Sequence, residues 1–256
     1  MILRANNISF NYSNQNYFKG IRNVSLRLNT GEVLGIIGKS GSGKTTLLKL
    51  LELGSLKNTR AKNLSSGQKQ RVAIARALAL IPKVLLLDEP FSNLDKLLSE
   101  KIFTFIISEV KKNNTSVILI SHAAEEVLKY ADTIAIIDNG KILQAGKKWE
   151  VYYHPKNSRL AGLMGDFNIL NPEDLEKKAK LKIKSKLFLR PDKLKLVASK
   201  TDADLLLRIY DCNYNGKCFE ILGETKNGNS VIIYSSKDLQ KDKEFGFMID
   251  MESKNN

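Results

Sequence analysis

The chain has 256 residues, of which 43% are hydrophobic and 27% charged, a composition that indicates one or two folded domains and argues against disorder. Its two cysteines are too few for a disulfide framework, and neither a leader segment nor an apolar run of roughly 20 residues is present, so we predict a cytoplasmic protein. Much of the net charge of +14 is carried by scattered lysines without interleaved aromatic residues, so we predict no nucleic-acid partner.

The first half of the chain alternates between apolar runs and amphipathic segments. Several of the apolar runs are hydrophobic at nearly every position, which is typical of strands that are covered on both faces. Strands that alternate with helices predict an open parallel α/β sheet. The predicted strands are 2–10, 23–28, 32–37, 84–87, 116–120 and 133–138, and the predicted helices are 44–53, 67–80, 96–112 and 123–130.

The pattern changes after His154-Pro155. Residues 156–182 are polar and predict a helical segment, whereas short apolar runs separated by turn residues begin at Leu187. These runs predict a small all-β domain, either a barrel or a sandwich. The predicted organisation is an α/β domain over 1–155, a linker over 156–184 and a β-rich domain over 185–256.

A glycine-rich loop lies between strand 32–37 and the helix that follows it. It fits the pattern GxxxxGK[ST], in which backbone N–H groups and the start of a helix surround phosphate oxygens. We therefore predict a nucleoside triphosphate, with Lys44 at the β- and γ-phosphates and the Thr45 hydroxyl on Mg²⁺. The nine residues of the loop are Gly38, Lys39, Ser40, Gly41, Ser42, Gly43, Lys44, Thr45 and Thr46.

Two carboxylates follow the buried strand 84–87. Asp88 is suited to hold Mg²⁺ through water, and Glu89 could activate the attacking water as a general base. A strand-ending Asp-Glu turn is common by itself, so the prediction depends on the phosphate-binding loop elsewhere in the chain.

The segment Leu64-Ser65-Ser66-Gly67-Gln68 predicts a second anion site, because a small hydroxyl-glycine turn opens a helix there. Two such sites leave two arrangements open. Either both anion sites bind the same nucleotide within one subunit, or each anion site completes the nucleotide site of a second subunit.

The order of these motifs resembles that of the ATP-binding subunits of ABC transporters. The resemblance implies the ABC fold, ATP and Mg²⁺ as cofactors, ATP hydrolysis, and a head-to-tail homodimer that sandwiches two ATP molecules. It also implies that Ser65, Gly67 and Gln68 contact the ATP of the partner subunit, although Ser66 replaces the family's usual glycine.

Further residues take their predicted roles from the same resemblance. His122 matches the switch histidine that keeps the γ-phosphate and Glu89 in register, and Ser92-Asn93-Leu94-Asp95 resembles the loop that communicates across the dimer. Tyr12 matches the aromatic residue that stacks on adenine, with an ordinary strand tyrosine as the alternative.

The second half resembles the linker and β-rich domain, similar to OB and TOBE domains, of importer ATPases for maltose, polyamines, ferric iron, sulfate or molybdate. The motifs that carry this likeness are Glu150–Pro155, Met164–Asn168 and Leu189–Asp192. It implies an energy-coupling subunit that lies on the inner face of the cell membrane. Its implied partners are integral-membrane permease subunits and a solute-binding protein.

One interval departs from the family. Only eighteen positions, 47–64, separate the phosphate-binding loop from Ser65, and no glutamine lies between Thr46 and Gln68. The family's glutamine loop and most of its helical subdomain therefore have no counterpart in the sequence. We expect ATP binding to persist, with hydrolysis and transport coupling impaired. The alternative function is a nucleotide-binding or regulatory ABC module that does not drive transport; a nucleic-acid-associated ABC ATPase is suggested by the net charge alone.

Overall fold

The computed structural model describes residues 1–12, 20–50, 66–91, 95–176 and 185–250. Contacts divide the chain into two units, Met1–Val151 and Tyr152–Asn256, and this boundary puts the predicted linker inside the second unit. The predicted Ser65 site, the loop Ser92–Leu94 and most of the interval 47–64 lie outside the described residues. None of the described helices is both long and apolar enough to cross a membrane.

The first unit contains seven strands and five helices within its described ranges. The strands are β1 Leu3–Asn11, β2 Gly20–Leu28, β3 Val33–Ile37, β4 Val84–Asp88, β5 Ser116–Ser121, β6 Thr133–Asp138 and β7 Lys141–Lys147. The helices are α1 Lys44–Leu50, α2 Ser66–Ala79, α3 Lys96–Lys112, α4 Ala124–Tyr130 and α5 Lys148–Tyr153, which runs across the unit boundary.

Five strands form the central sheet in the order β4-β5-β3-β6-β7. The first four are parallel, which confirms the predicted α/β sheet. Every residue of β3 and β5 is buried, as expected for strands that are apolar throughout. Gly35 in β3 lets α4 pack closely, because a Cβ there would overlap the side chain of Val127.

The antiparallel edge strand β7, which pairs with β6, was not among the predicted strands. Asn139 and Gly140 join the two strands, with φ values of 46° and 72°. Positive φ at both central residues is characteristic of a type I′ hairpin turn, for which Asn-Gly is a favoured sequence. This dipeptide was the available signal for the hairpin.

Strands β1 and β2 form a separate antiparallel ribbon, close to where strands were predicted. The alternation in β2 buries Ile21, Val24 and Leu28 and leaves polar residues outside. These side chains share one hydrophobic core with Ile36 of β3 and Leu47 of α1. The ribbon is thereby fixed beside the loop that joins β3 to α1.

Gly140 connects the β6–β7 turn to two other segments through its main chain. Its N–H donates to the Ser42 carbonyl at 2.8 Å, and its carbonyl accepts from the Arg22 N–H at 2.8 Å. The approach is so close that a Cβ on Gly140 would overlap the main chain of Gly20. The turn therefore joins the glycine-rich loop to the start of β2.

The second unit is built mainly from short strands. They are β8 Asn168–Leu170, β9 Leu187–Leu189, β10 Leu194–Leu196, β11 Leu205–Tyr214, β12 Phe219–Glu224, β13 Ser230–Ser235 and β14 Glu244–Ile249. The last five form an antiparallel sheet in the order β10-β14-β11-β12-β13, and its two edge strands contact each other. Of the two predicted alternatives, this curled sheet favours the barrel.

The prediction of a continuous helical segment over 156–182 is wrong for the part that the structure describes. Helix α6, Ser158–Leu163, is followed by strand β8 and a short 3-10 turn at Pro172–Asp174. Tertiary contacts override the polar pattern here. The buried side-chain amide of Asn168 donates to the Ile232 carbonyl and accepts from the Ile232 N–H of β13, each at 2.8 Å.

The Gly140 junction can be tested with two glycines that share a φ of 72°. In Gly31→Ala the new Cβ would lie 3.6 Å from its nearest neighbour, the side-chain oxygen of Asn114, so there is no steric overlap. We therefore expect only the cost of a left-handed backbone conformation, which lowers the free energy of unfolding by about 1–2 kcal/mol. Gly140→Ala adds steric overlap, and we expect it to cost a further 1–3 kcal/mol or so. Denaturant unfolding followed by fluorescence of Trp149, the chain's single tryptophan, measures both variants. Equal losses would contradict the proposed packing.

Candidate functional site

The loop between β3 and α1 depends on glycine at three positions. Gly41 and Gly43 have φ values of 77° and 106°, which other residues rarely adopt. Gly38 is packed so tightly that a Cβ would overlap the Ile137 carbonyl and lie 2.5 Å from Ser42 Oγ. The sequence pattern therefore corresponds to a specific backbone shape.

The side chain of Lys44 folds back over this loop. Its residue is only 8% exposed, and its Nζ donates to the carbonyls of Gly38 at 2.7 Å and Lys39 at 3.1 Å. Thr45 next to it is exposed, whereas Thr46 is buried. Both of these acceptors are neutral carbonyls, so the two hydrogen bonds keep the positive charge of the ammonium in the loop.

Asp88 is the last residue of β4, and Glu89 follows it at the same edge of the sheet. Partial burial raises the pKa of Asp88, the charge of Glu89 raises it further, and the ammonium of Lys44 lowers it. The two sequence motifs are therefore within electrostatic reach of each other. Glu89 has a φ of 45°, and its N–H donates to the Ile120 carbonyl of β5 at 2.9 Å.

His122 follows β5 and lies beside Glu89. Its Nδ1 is 3.2 Å from Glu89 Oε2, with side-chain exposures of 63% and 37% for the two residues. A hydrogen-bonded turn holds the histidine: the Ser121 hydroxyl accepts from the Ala123 N–H at 3.0 Å and donates to Glu126 at 2.7 Å. The supporting role of Ser121 and Glu126 was not visible in the sequence, because it depends on how α4 begins.

Of the remaining predicted site residues, the structure describes Tyr12, Gly67 and Gln68 but not Ser65. Tyr12 lies just after β1 with 52% of its surface exposed, and its ring centroid is 4.8 Å from that of Phe10 in an edge-to-face contact. Gly67 and Gln68 lie in the first turn of α2, whereas Ser65 lies outside the described residues. Their predicted contacts with a nucleotide stay predictions.

A buried strand, a glycine loop closed by a lysine, and a helix occur here in direct succession, with an aspartate at the end of a parallel strand two positions away in the same sheet. This combination defines the class of P-loop nucleotide-binding proteins. Two stretches of the chain, residues 21–59 and 50–92, match the family described as ABC transporter. Over residues 21–92 the chain is therefore similar to the ABC transporter family.

Relatives and a solved structure agree with this similarity. A sulfate/thiosulfate import ATP-binding protein of Synechocystis is 36% identical over 66% of this chain and 48% of its own length. A Fe(3+) ions import ATP-binding protein of Haemophilus influenzae is 32% identical over 83% of this chain and 64% of its own length. The chain thus spans about half to two thirds of these relatives.

The solved structure is a dimeric post-hydrolysis state of the ATP-binding cassette MJ0796 bound to ADP and Pi. It aligns with a TM-score of 0.50 and 21% identity, covering 57% of this chain and 98% of its own. This likeness supports the ABC ATPase fold.

The raised pKa of Asp88 has a consequence for stability. A carboxyl group whose pKa is higher in the folded than in the unfolded protein lowers the free energy of unfolding when it ionises. This loss of stability is complete above the pKa of the folded protein. It disappears below the pKa of the unfolded protein, which is near 3.8. We expect Asp88→Asn to raise the unfolding free energy at pH 7 by at most about 1 kcal/mol, since solvent screens the exposed carboxylate. The gain should vanish below about pH 4 in Trp149-monitored unfolding. A variant less stable than the parent at pH 7 would contradict this electrostatic account.

Proposed function

We propose that this chain binds ATP with Mg²⁺ in the β3–α1 loop and hydrolyses it to energise solute import through an ABC transporter. The observation that carries the proposal is the convergence of Lys44, Asp88 and the Glu89–His122 pair at the ends of three adjacent parallel strands. In open α/β sheets, ligands bind beyond the carboxyl ends of the strands.

The loop has the features that a triphosphate needs. Lys44 can exchange its two carbonyl partners for phosphate oxygens, which are stronger acceptors for an ammonium. The first-turn N–H groups of Lys44, Thr45 and Thr46 have no acceptor in the preceding turn of α1. These donors and the left-handed glycines favour a bound anion at this position.

The residues present also fit Mg²⁺. Thr45 and Asp88 offer a hydroxyl and a carboxylate, the hard oxygen ligands that this ion prefers, and both residues are exposed. No cluster of three histidine, cysteine or acidic side chains occurs in the described ranges that could cage a metal by itself.

The Glu89–His122 pair supports the hydrolytic step. In that step a water oxygen forms a bond to the γ-phosphorus, the bond to the β–γ bridging oxygen breaks, and ADP and phosphate leave. Glu89 would orient the water and accept its proton, while His122 and Lys44 would stabilise charge on the transferred group. His122 lies close enough to hold the carboxylate of Glu89 in place.

The relatives' names support a role in import. Both proteins described above are import ATP-binding proteins, but one is named for sulfate and thiosulfate and the other for iron, so the solute stays unassigned. We propose membrane permease subunits and a solute-binding protein as partners, and a head-to-tail homodimer on the inner face of the membrane, in which Ser65, Gly67 and Gln68 would reach the partner's ATP. The short interval 47–64 is the reason for considering a module that binds ATP without driving transport, but the relatives, which are import ATP-binding proteins, do not favour this alternative.

Nucleotide binding is tested by isothermal titration with ATP and Mg²⁺. We expect Lys44→Ala to weaken binding by about 10- to 100-fold, because hydrogen bonds to charged groups contribute roughly 1.5–3 kcal/mol. The matched control is Lys49→Ala on the same helix, an exposed lysine that should bind ATP as the parent does. Equal affinity in both variants would refute the proposed nucleotide site.

Hydrolysis is tested separately with Glu89→Gln. Loss of the proposed general base should lower phosphate release by about 100-fold or more, while ATP affinity changes by less than about threefold. Glu109→Gln on α3 is the control and should retain the parental rate. A parent protein that binds ATP and releases no phosphate would support the alternative module and reject the ATPase.

A further inference from the structure

Three Asn-Gly pairs occur in the chain, and all of them lie within the described residues. They are Asn139-Gly140, Asn215-Gly216 and Asn227-Gly228. In this dipeptide the main-chain nitrogen of the glycine can attack the side-chain carbonyl carbon of the asparagine, because glycine has no Cβ to hinder the approach. The three glycines have positive φ values of 72°, 90° and 78°, so backbone conformation alone does not separate the pairs.

Two of the three glycine nitrogens are engaged in hydrogen bonds. The N–H of Gly140 donates to a carbonyl of the glycine-rich loop at 2.8 Å, and the N–H of Gly228 donates to the Thr225 carbonyl at 2.9 Å. The side-chain amide of Asn227 is also held, since it donates to Oδ1 of the buried Asp174 at 2.8 Å. An N–H in such a bond has to leave its acceptor before the nitrogen can act as a nucleophile.

The third pair lies in the exposed loop between β11 and β12. Within the described part of the chain, the N–H of Gly216 has no hydrogen-bond acceptor. The side-chain carbonyl oxygen of Asn215 accepts two main-chain N–H groups, from Lys217 at 3.0 Å and from Cys218 at 3.1 Å. Two donors on one carbonyl oxygen stabilise the negative charge that forms there when a nucleophile adds to the carbon. This pair therefore combines an available nucleophile with an activated carbonyl.

We propose that Asn215 is a site of spontaneous deamidation. Hydroxide takes the proton of the Gly216 N–H, and the nitrogen forms a bond to Cγ of Asn215. The bond from Cγ to Nδ2 then breaks, and Nδ2 takes a proton from water and leaves as ammonia. Water opens the resulting cyclic imide at one of its two carbonyl carbons, which gives an aspartyl or an isoaspartyl residue. The overall change consumes one water, releases one ammonia and adds one negative charge to the chain.

The two products have different effects on the turn. An aspartyl residue keeps a side-chain oxygen that can accept from Lys217 and Cys218, so the turn persists. In an isoaspartyl residue the main chain runs through the former side chain, so this acceptor is lost and the loop gains one CH₂ group. The loop is closed by the pairing of Tyr214 with Phe219, whose ring centroids are 5.2 Å apart. The isoaspartyl product should therefore loosen this end of the β11–β12 hairpin.

Deamidation is tested by incubating the folded full chain in neutral buffer and following the three positions by peptide mass spectrometry. We expect position 215 to convert at least about tenfold faster than positions 139 and 227, because a protected N–H must first give up its hydrogen bond. Ammonia should be released at the same rate as position 215 converts. Equal rates at the three positions, or faster conversion at position 139 or 227, would overturn the proposal.

The same chain unfolded in denaturant is the matched control. All three pairs share the Asn-Gly sequence, so their rates should agree within about threefold once the native contacts are lost. Position 215 should convert at least as fast in the folded chain as in the unfolded chain, because the two N–H donors on its side chain exist only after folding. Slower conversion on folding would show that the turn holds the amide away from the Gly216 nitrogen, and would refute the proposal.

Variants identify the modified residue independently. Isoelectric focusing of the parent should show a more acidic form, which should be absent in Asn215→Gln and unchanged in Asn213→Gln, an exposed position that no glycine follows. Asn215→Asp is the reference for the aspartyl product and should keep slow hydrogen exchange at the N–H groups of Lys217 and Cys218. The isoaspartyl fraction should exchange these two hydrogens faster. An acidic form that persists in Asn215→Gln would place the modification elsewhere and exclude Asn215.

Discussion

The site depends on one main-chain junction, in which Gly140 hydrogen-bonds both to the glycine-rich loop at Ser42 and to Arg22 of β2. Because these are bonds between backbone groups, the shape of the loop is fixed before any ligand arrives. The ammonium of Lys44 is correspondingly held by the carbonyls of Gly38 and Lys39. A preorganised loop needs little rearrangement to exchange these carbonyls for phosphate oxygens, and binding then costs less conformational entropy.

Parallel strand order explains why the remaining groups lie beside this loop. The neighbours β4, β5 and β3 end at one edge of the sheet, so Asp88, His122 and Gly38 lie at the same edge although they are distant in sequence. Their proximity carries an electrostatic cost in the unliganded protein, since the pKa of Asp88 is raised by burial and by Glu89. A cation that coordinates Asp88 would remove that cost, which couples metal and nucleotide binding to the stability of the first unit.

The sequence was sufficient for features set by local chemistry. The apolar strands β3 to β6, the glycine loop and the carboxylates at the end of β4 follow from residue pattern alone, and the similarity to the ABC transporter family and to a solved ABC structure confirms the fold. Features set by distant contacts were missed: edge strand β7 has a weak apolar pattern, and β8 forms because Asn168 meets β13. The hydrogen bond from Ser121 to Glu126 likewise requires knowledge of how α4 packs after β5.

The pairing of Asn168 with Ile232 also bears on self-association. Strand β13 lies at one end of its sheet, where exposed N–H and C=O groups can recruit a strand from another molecule. The carboxamide of Asn168 imitates a peptide group and occupies both bonding positions of Ile232. It thereby satisfies one N–H and one C=O of β13 that the sheet leaves unpaired, groups that could otherwise pair with a strand of another molecule.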